Sequence, residues 1–257
     1  MALSASGTKR DETKKDTKRT CRKHQKIIDK ELINKLPRDI ILIISKMHPL
    51  LIPPFTNDTL RRAVKDYLDG GDRKKRIVEK YGEISNWDTS KVTNMYGLFK
   101  GATSFNQPLN NWDVECVEDM SHMFSGATSF NQPLNNWDVW RVTNMSFMFK
   151  QATSFNQPLN WDVINVTNIH HMFWDANSFN QPLNNWEMFE VCDMRFMFFW
   201  ASSFNQPLNK WNAFVKGAHM SYMFSNATSF NQPLHAPWHE SSDEDESDPE
   251  YESYYSE

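Results

Sequence analysis

The chain has 257 residues, a formal net charge of −4 and three cysteines. That length holds one or two ordinary domains, no stretch approaches the apolar length of a membrane span, and the N-terminus carries no apolar signal-peptide core. The charge is uneven: residues 1–30 hold ten Lys/Arg against four acids, residues 240–257 hold nine acids and no base, and the near-neutral middle offers no broad basic face for nucleic acid.

Residues 1–30 read as a disordered basic lead, in which Lys18-Arg19 and Arg22-Lys23 form either a nuclear-import patch or a plain solubilising tail. Cys21, Cys116 and Cys192 fall in no metal spacing. Cys116 and Cys192 lie three repeats apart, on the order of 14 Å for stacked strands and beyond disulfide reach. Free thiols without a signal segment place the protein inside the cell, in the cytoplasm first and the nucleus second, and not among secreted proteins.

Residues 31–83 read as a helical cap. Pro37 fits the first turn of a helix over 38–47, with Ile40, Ile41, Ile43 and Ile44 on its buried side. His48-Pro49 and Pro53-Pro54 break it. Asn57-Asp58-Thr59 offers an N-cap to a second helix whose stripe is Leu60, Ala63, Val64, Tyr67 and Leu68. Gly70-Gly71 ends it, and a third short helix over 72–81 stops at Gly82. The cap runs straight into a repeat, so its expected task is to cover the repeat's apolar end.

Residues 84–238 repeat. Ser-Phe-Asn-Gln-Pro-Leu occurs six times, with Phe105, Phe130, Phe155, Phe179, Phe204 and Phe230 at intervals of 25, 25, 24, 25 and 26 residues. Trp87, Trp112, Trp137, Trp161, Trp186 and Trp211 keep the same beat. A fixed period of this size predicts a solenoid whose units bury their apolar faces on one another. Within a unit, Val92, Met95, Leu98, Phe99 and Ala102 share one face of a helical wheel. Each unit therefore reads as a short strand plus a two-turn helix, the latter entered at Thr93, Thr143, Thr167 or Asp193. Helices need more room than strands, so the stack is expected to curve with helices outside. Asn106, Asn131, Asn156, Asn180, Asn205 and Asn231 read as a stacked amide ladder, and Asp88, Asp113, Asp138 and Asp162 as local turn acceptors.

The unit Asn-Asn-Trp-Asp-Val-x-x-Val-Thr-Asn-Met-Ser-x-Met-Phe-x-x-Ala-Thr-Ser-Phe-Asn-Gln-Pro-Leu resembles the BspA-like leucine-rich repeat, the mycoplasma-lipoprotein-associated repeat of unknown function. The lead-in from Leu60 to Trp87 resembles the segment that opens such arrays in microalgal and large-DNA-virus members. The resemblance implies a curved, leucine-rich-repeat-like α/β solenoid of about six units, used for binding and without known activity, in an intracellular viral or protist setting (the host cytoplasm, if virus-encoded). Upstream, Leu36-Pro37-Arg38-Asp39-Ile40 is similar to the first helix of an F-box. That likeness implies a ubiquitin-ligase substrate adaptor holding a Skp-like protein through residues 31–60; the other reading is an ordinary amphipathic helix on the cap.

Three columns vary between units where the rest are copied. One holds Gly97, His122, Phe147, His171, Phe196 and Tyr222; a second holds Gly101, Gly126, Gln151, Asp175, Trp200 and Asn226; a third holds Ser90, Glu115, Trp140, Ile164, Phe189 and Phe214. On the helical wheel the first two face away from the core. Trp140, Phe147, Phe189, Phe196, Trp200, Phe214 and Tyr222 are therefore the candidate partner-binding residues, a patch larger than a soluble monomer normally exposes. The competing reading is that these rings lie flat on one another and thicken the core. His170-His171 has no aligned ligand to complete a metal site. No catalytic arrangement, phosphate loop or cofactor fingerprint is present in the sequence, so a non-enzymatic interaction module with a protein partner and no cofactor is expected. Residues 239–257 read as a disordered acidic tail in which Ser241, Ser242 and Ser247 resemble acidophilic kinase targets.

Overall fold

The computed structural model of the protein describes residues 52–211 and 217–233, with Pro37 besides. The helix expected over 38–47, the F-box-like residues other than Pro37, Phe214 and both tails lie outside the described residues.

Among the described residues, two α-helices precede the repeats. Helix α1, Asn57–Leu68, starts from Thr56, whose side chain and that of Thr59 cap each other's backbone reciprocally. Leu60, Ala63, Val64 and Tyr67 are its buried stripe, as their spacing requires, while Leu68 is exposed. Helix α2, Gly71–Tyr81, ends at Gly82, whose φ of 76° only glycine adopts without strain. The two helices close over the first unit. Phe55 and Tyr67 put their rings 5.0 and 5.9 Å from that of Trp87. Asn57 Oδ1 accepts the backbone N–H groups of Thr93 and Asn94 at 2.9 and 3.2 Å, and Arg61 donates to the Tyr96 carbonyl at 2.7 Å. The cap thus meets the polar and apolar needs of the first coil at once.

The repeats then stack in register. Among the described residues, five isolated parallel bridges run Asn94–Asp119–Asn144–Asn168–Asp193–His219, one step per unit. Three ring files run along the stack. Phe99, Phe124, Phe149, Phe173, Phe198 and Phe224 follow one another at 5.5–5.7 Å. Phe105, Phe130, Phe155, Phe179, Phe204 and Phe230 do so at 6.0–6.1 Å. The tryptophans stack at 6.2–6.4 Å for Trp87–Trp112, Trp137–Trp161 and Trp161–Trp186. Each indole N–H from Trp112 to Trp211 donates to a carbonyl one unit back, Ile84 for the first and Leu109, Leu134, Leu159 and Leu183 for the rest. A buried indole must have such an acceptor, so leucine and tryptophan positions are coupled between neighbours.

The asparagine column is a ladder. Oδ1 of Asn106, Asn131, Asn156, Asn180 and Asn205 accepts the backbone N–H of the next asparagine at 2.9–3.1 Å. The same oxygens accept the side-chain amide of the glutamine that follows it, at 2.9–3.0 Å. The Asp88, Asp113, Asp138 and Asp162 carboxylates accept the N–H two residues on, closing Asx turns.

Two expectations are corrected here. Among the described residues, the repeats contain no α-helix and no strand longer than a bridge. Alternate amides of the expected helix are taken by the next unit: Met95, Gly97, Phe99 and Gly101 donate to Asp119, Ser121, Met123 and Ser125 at 2.7–2.9 Å. Only Leu98, Lys100 and Ala102 close local turns, three residues back. A helix cannot form when half its donors are committed sideways. The entry is an Asx turn at Asn94, Asp119, Asn144, Asn168 or Asp193, in place of a threonine cap. The second correction concerns cysteine: Cys192 is free and exposed, but Cys116 is disulfide-bonded.

Candidate partner-binding face

The chain of turns dictates where the variable columns go. In unit one the turns Met95–Leu98 and Phe99–Ala102 have Gly97 and Gly101 as their third residues, at φ 58° and 71°. A positive φ at that position is what a type II turn needs. In later units the same two positions are held by side chains at φ 54–60°: His122, Phe147, Gln151, His171, Asp175, Phe196, Trp200, Tyr222 and Asn226. The left-handed region costs a non-glycine residue roughly 1–2 kcal/mol, so something must offset it.

For the first column the offset is ring stacking. His122–Phe147, Phe147–His171, His171–Phe196 and Phe196–Tyr222 centroids are 4.4, 4.4, 4.7 and 5.0 Å apart, with interplanar angles of 11–30°. Tyr96 closes the file with an edge contact to His122 at 5.4 Å. Trp174 lies parallel to His171 at 4.7 Å and touches Phe199 at 4.5 Å. Trp174, Phe196 and Phe199 form a second apolar cluster beside the main core, with Tyr222 packed on it. Lys150 covers it, its ammonium 4.5 Å from the Trp174 ring and 5.4 Å from that of Phe147.

The expected exposure therefore holds for part of the set only. Phe196 is fully buried, because its ring is sandwiched between His171 and Tyr222, and it cannot reach a partner. Phe147, Tyr222 and Trp140 are half-buried. Phe189 and Trp200 are 54% and 40% exposed. The sequence missed Tyr96, which is also exposed and opens the ring file; its aromatic character one residue before Gly97 was the available signal. The expected helix gives His122, Phe147, His171, Phe196 and Tyr222 one outward column; the turn geometry keeps the column but lays its rings flat on one another, as the competing reading has it.

Burial keeps the histidines of the file neutral. It pushes His122 down to about 4, helped by the Lys100 and Lys150 charges. It pushes His171 down to about 2, helped by His170, Lys150 and Arg195. His170 and His171 share a hydrogen bond between their Nδ1 atoms at 2.7 Å. Among the described residues no group of three or more His, Cys, Asp or Glu side chains is placed to hold a metal ion. A shallow depression lies between Asn110, Trp112, Glu115, Asn136 and Asp138. Its floor is part of the scaffold, since Asn110 Oδ1 accepts the Asn136 N–H at 2.9 Å.

Among known families, the sequence profile described as "Mycoplasma protein of unknown function, DUF285" matches the chain twice in tandem, over residues 73–163 and 159–249. No curated protein and no solved structure matches the chain.

Proposed function

The chain belongs to the family of mycoplasma proteins of unknown function just described, which is the BspA-like repeat family, and on that premise we propose that it is a non-catalytic scaffold that binds a protein partner through its stacked repeats. The repeats act as one curved solenoid. The ring files support a curve: they are spaced 4.4–5.0 Å along the column from His122 to Tyr222 and 6.2–6.4 Å along the tryptophans. That difference favours a curve with the turn ladder on the inner side and the tryptophans on the outer, opposite to the expected helix-outside sense. A stack held by a side-chain ladder and ring files is stiff, and stiff surfaces bind with little loss of conformational entropy.

The observation that carries the reading is the exposure of Phe189 and Trp200, two large rings of unit five, the second of them 5.2 Å from Phe199 of the buried aromatic cluster. Aromatic side chains of this kind anchor interfaces at small entropic cost. The test is affinity capture from cells with the native chain and with the F189S/W200S double variant. A partner captured by the native chain and lost with the variant, at unchanged melting temperature, supports the scaffold. Identical capture by both removes this face from the proposal.

A second reading, a ubiquitin-ligase substrate adaptor in a viral or protist cell, rests on Leu36-Pro37-Arg38-Asp39-Ile40 alone. Co-purification of a Skp-like protein that depends on residues 31–60 separates it from the first.

A further inference from the structure

The repeat stack has two ends, and only one is closed by described residues. At the start, Phe55, Asn57 and Arg61 supply the ring contact, the acceptor and the donor that a preceding unit would supply. At the other end the pattern breaks. Met194, Phe198 and Trp200 give their amides to His219, Met223 and Ser225 at 2.8–3.0 Å. The equivalent amides one unit later, on Met220, Phe224 and Asn226, meet no acceptor among the described residues. Phe224 and Phe230 are half-exposed, where Phe198 and Phe204 of the same files are fully buried. An open row of donors beside an apolar face is the edge that folded proteins cover.

The chain has a segment suited to that end. Twenty-four residues, 234–257, follow Pro233. They open with Leu234-His235-Ala236-Pro237-Trp238, the Leu-to-Trp order by which Leu183 leads to Trp186 and Leu208 to Trp211. Trp211 is fully buried, although it is the last described member of its file. In the earlier units each tryptophan of this file donates to a carbonyl one unit back, and Leu208 holds the corresponding carbonyl for a seventh. Bridge partners are 24–26 residues apart, which sets Asp243, Glu244, Asp245 and Glu246 roughly one step beyond His219. A row of unfilled amide donors favours negative charge.

We propose that residues 234–251 close the open end of the stack, with Trp238 as the seventh member of the tryptophan file, its indole N–H on the Leu208 carbonyl, and the carbonyls 25 residues on, those of Asp245, Pro249 and Tyr251, set against the amides of Met220, Phe224 and Asn226. The occupant is this chain's own tail, and not a second copy of the chain. The proposal is independent of where a partner binds.

The test is residue-resolved hydrogen exchange on the full-length protein and on its full-length W238A variant, with sedimentation of both. The expected result is a monomer in which the Met220, Phe224 and Asn226 amides exchange at least tenfold faster in W238A, while Phe149 and Phe173 are unchanged. Equal exchange in the two proteins overturns the proposal, whether fast or slow. Slow exchange that appears only in a concentration-dependent dimer assigns the end to a second copy and overturns it too.

Discussion

The rings of Phe147 and His171, 24 residues apart in sequence, lie face to face with their centroids 4.4 Å apart, and both grow from backbone at φ 57°. One unit's turn thus places a ring where the next unit's turn places another, in a conformation that side chains rarely adopt. Among the described residues, nine non-glycine residues of the repeats stand in that conformation, and Gly97, Gly101 and Gly126 hold the same two columns in the first units.

Replacing an exposed member of these columns by glycine should therefore stabilise the protein. Gln151 has φ 57° and is exposed, and its backbone N–H donates to the Trp174 carbonyl whatever the side chain. Relief of the left-handed conformation is worth roughly 1–2 kcal/mol, against about 0.5–1 kcal/mol of added unfolded-chain entropy. Urea unfolding should place Gln151→Gly about 0.5–1 kcal/mol above Gln151→Ala. The opposite order, which is normal elsewhere in proteins, would show that this backbone is not left-handed.

Acid should weaken the ring file. His122 and His171 have native values near 4 and 2, both below their ordinary 6.5. A native value below the unfolded one means that unfolding takes up protons. Stability is then complete above pH 6.5 and falls as the pH drops through 6.5 toward the native values. His171→Phe keeps a ring in the file, as Phe147 and Phe196 do, and removes that proton uptake. Its advantage over the native chain should be larger at pH 4.5 than at pH 7.5 by on the order of 2 kcal/mol. Parallel pH profiles for the two proteins would contradict the burial of the imidazole.

How much of this was legible in the sequence depends on the interaction concerned. Phe99, Phe105 and Trp112 are copied at the unit period, and each lies buried on its counterparts in neighbouring units, as a period near 25 implies. The asparagine ladder was legible for the same reason, because an amide repeated in register is opposite its own copy. The element type was not. Val92, Met95, Leu98 and Phe99 are buried at helical spacing, but turns that close three residues back return side chains to the core every three or four residues as well. Gly97 and Gly101, four apart in the middle of the expected helix, were the contrary signal. The burial of Phe196 has the same origin, since a ring that would point outward on a helix lies along the stack when it leaves a turn of positive φ.

Breaking the amide ladder should cost more in the middle than at its end. Asn156 Oδ1 accepts two hydrogen bonds, from the Asn180 backbone and the Gln181 side chain. Asn156→Ala leaves both donors in a half-buried strip, at about 1–3 kcal/mol. The side chain of Asn231 accepts from no described residue, and Asn231→Ala should change stability by under about 0.5 kcal/mol. Chemical denaturation of the two variants measures the contrast; equal losses would mean that the ladder bonds contribute nothing beyond local turns.

Removing the polar cap should fray the first coil. Asn57→Ala deletes the acceptor of the Thr93 and Asn94 amides. A loss of about 1–2 kcal/mol is expected, by analogy with a lost helix cap. Hydrogen exchange should quicken at Thr93 and Asn94 while Thr143 and Thr167 hold. Uniform acceleration throughout the repeats would show that the cap and the stack unfold as one unit.

The stacking of one unit on the next is tested most directly by ring-to-ring nuclear Overhauser contacts in protein labelled at phenylalanine. Contacts are expected from Phe124 to Phe149 and from Phe149 to Phe173, at the 5.5 and 5.7 Å centroid separations of that file, with none from Phe124 to Phe173, two units apart. Rings that show contacts within their own unit only, or that skip a unit, would contradict it.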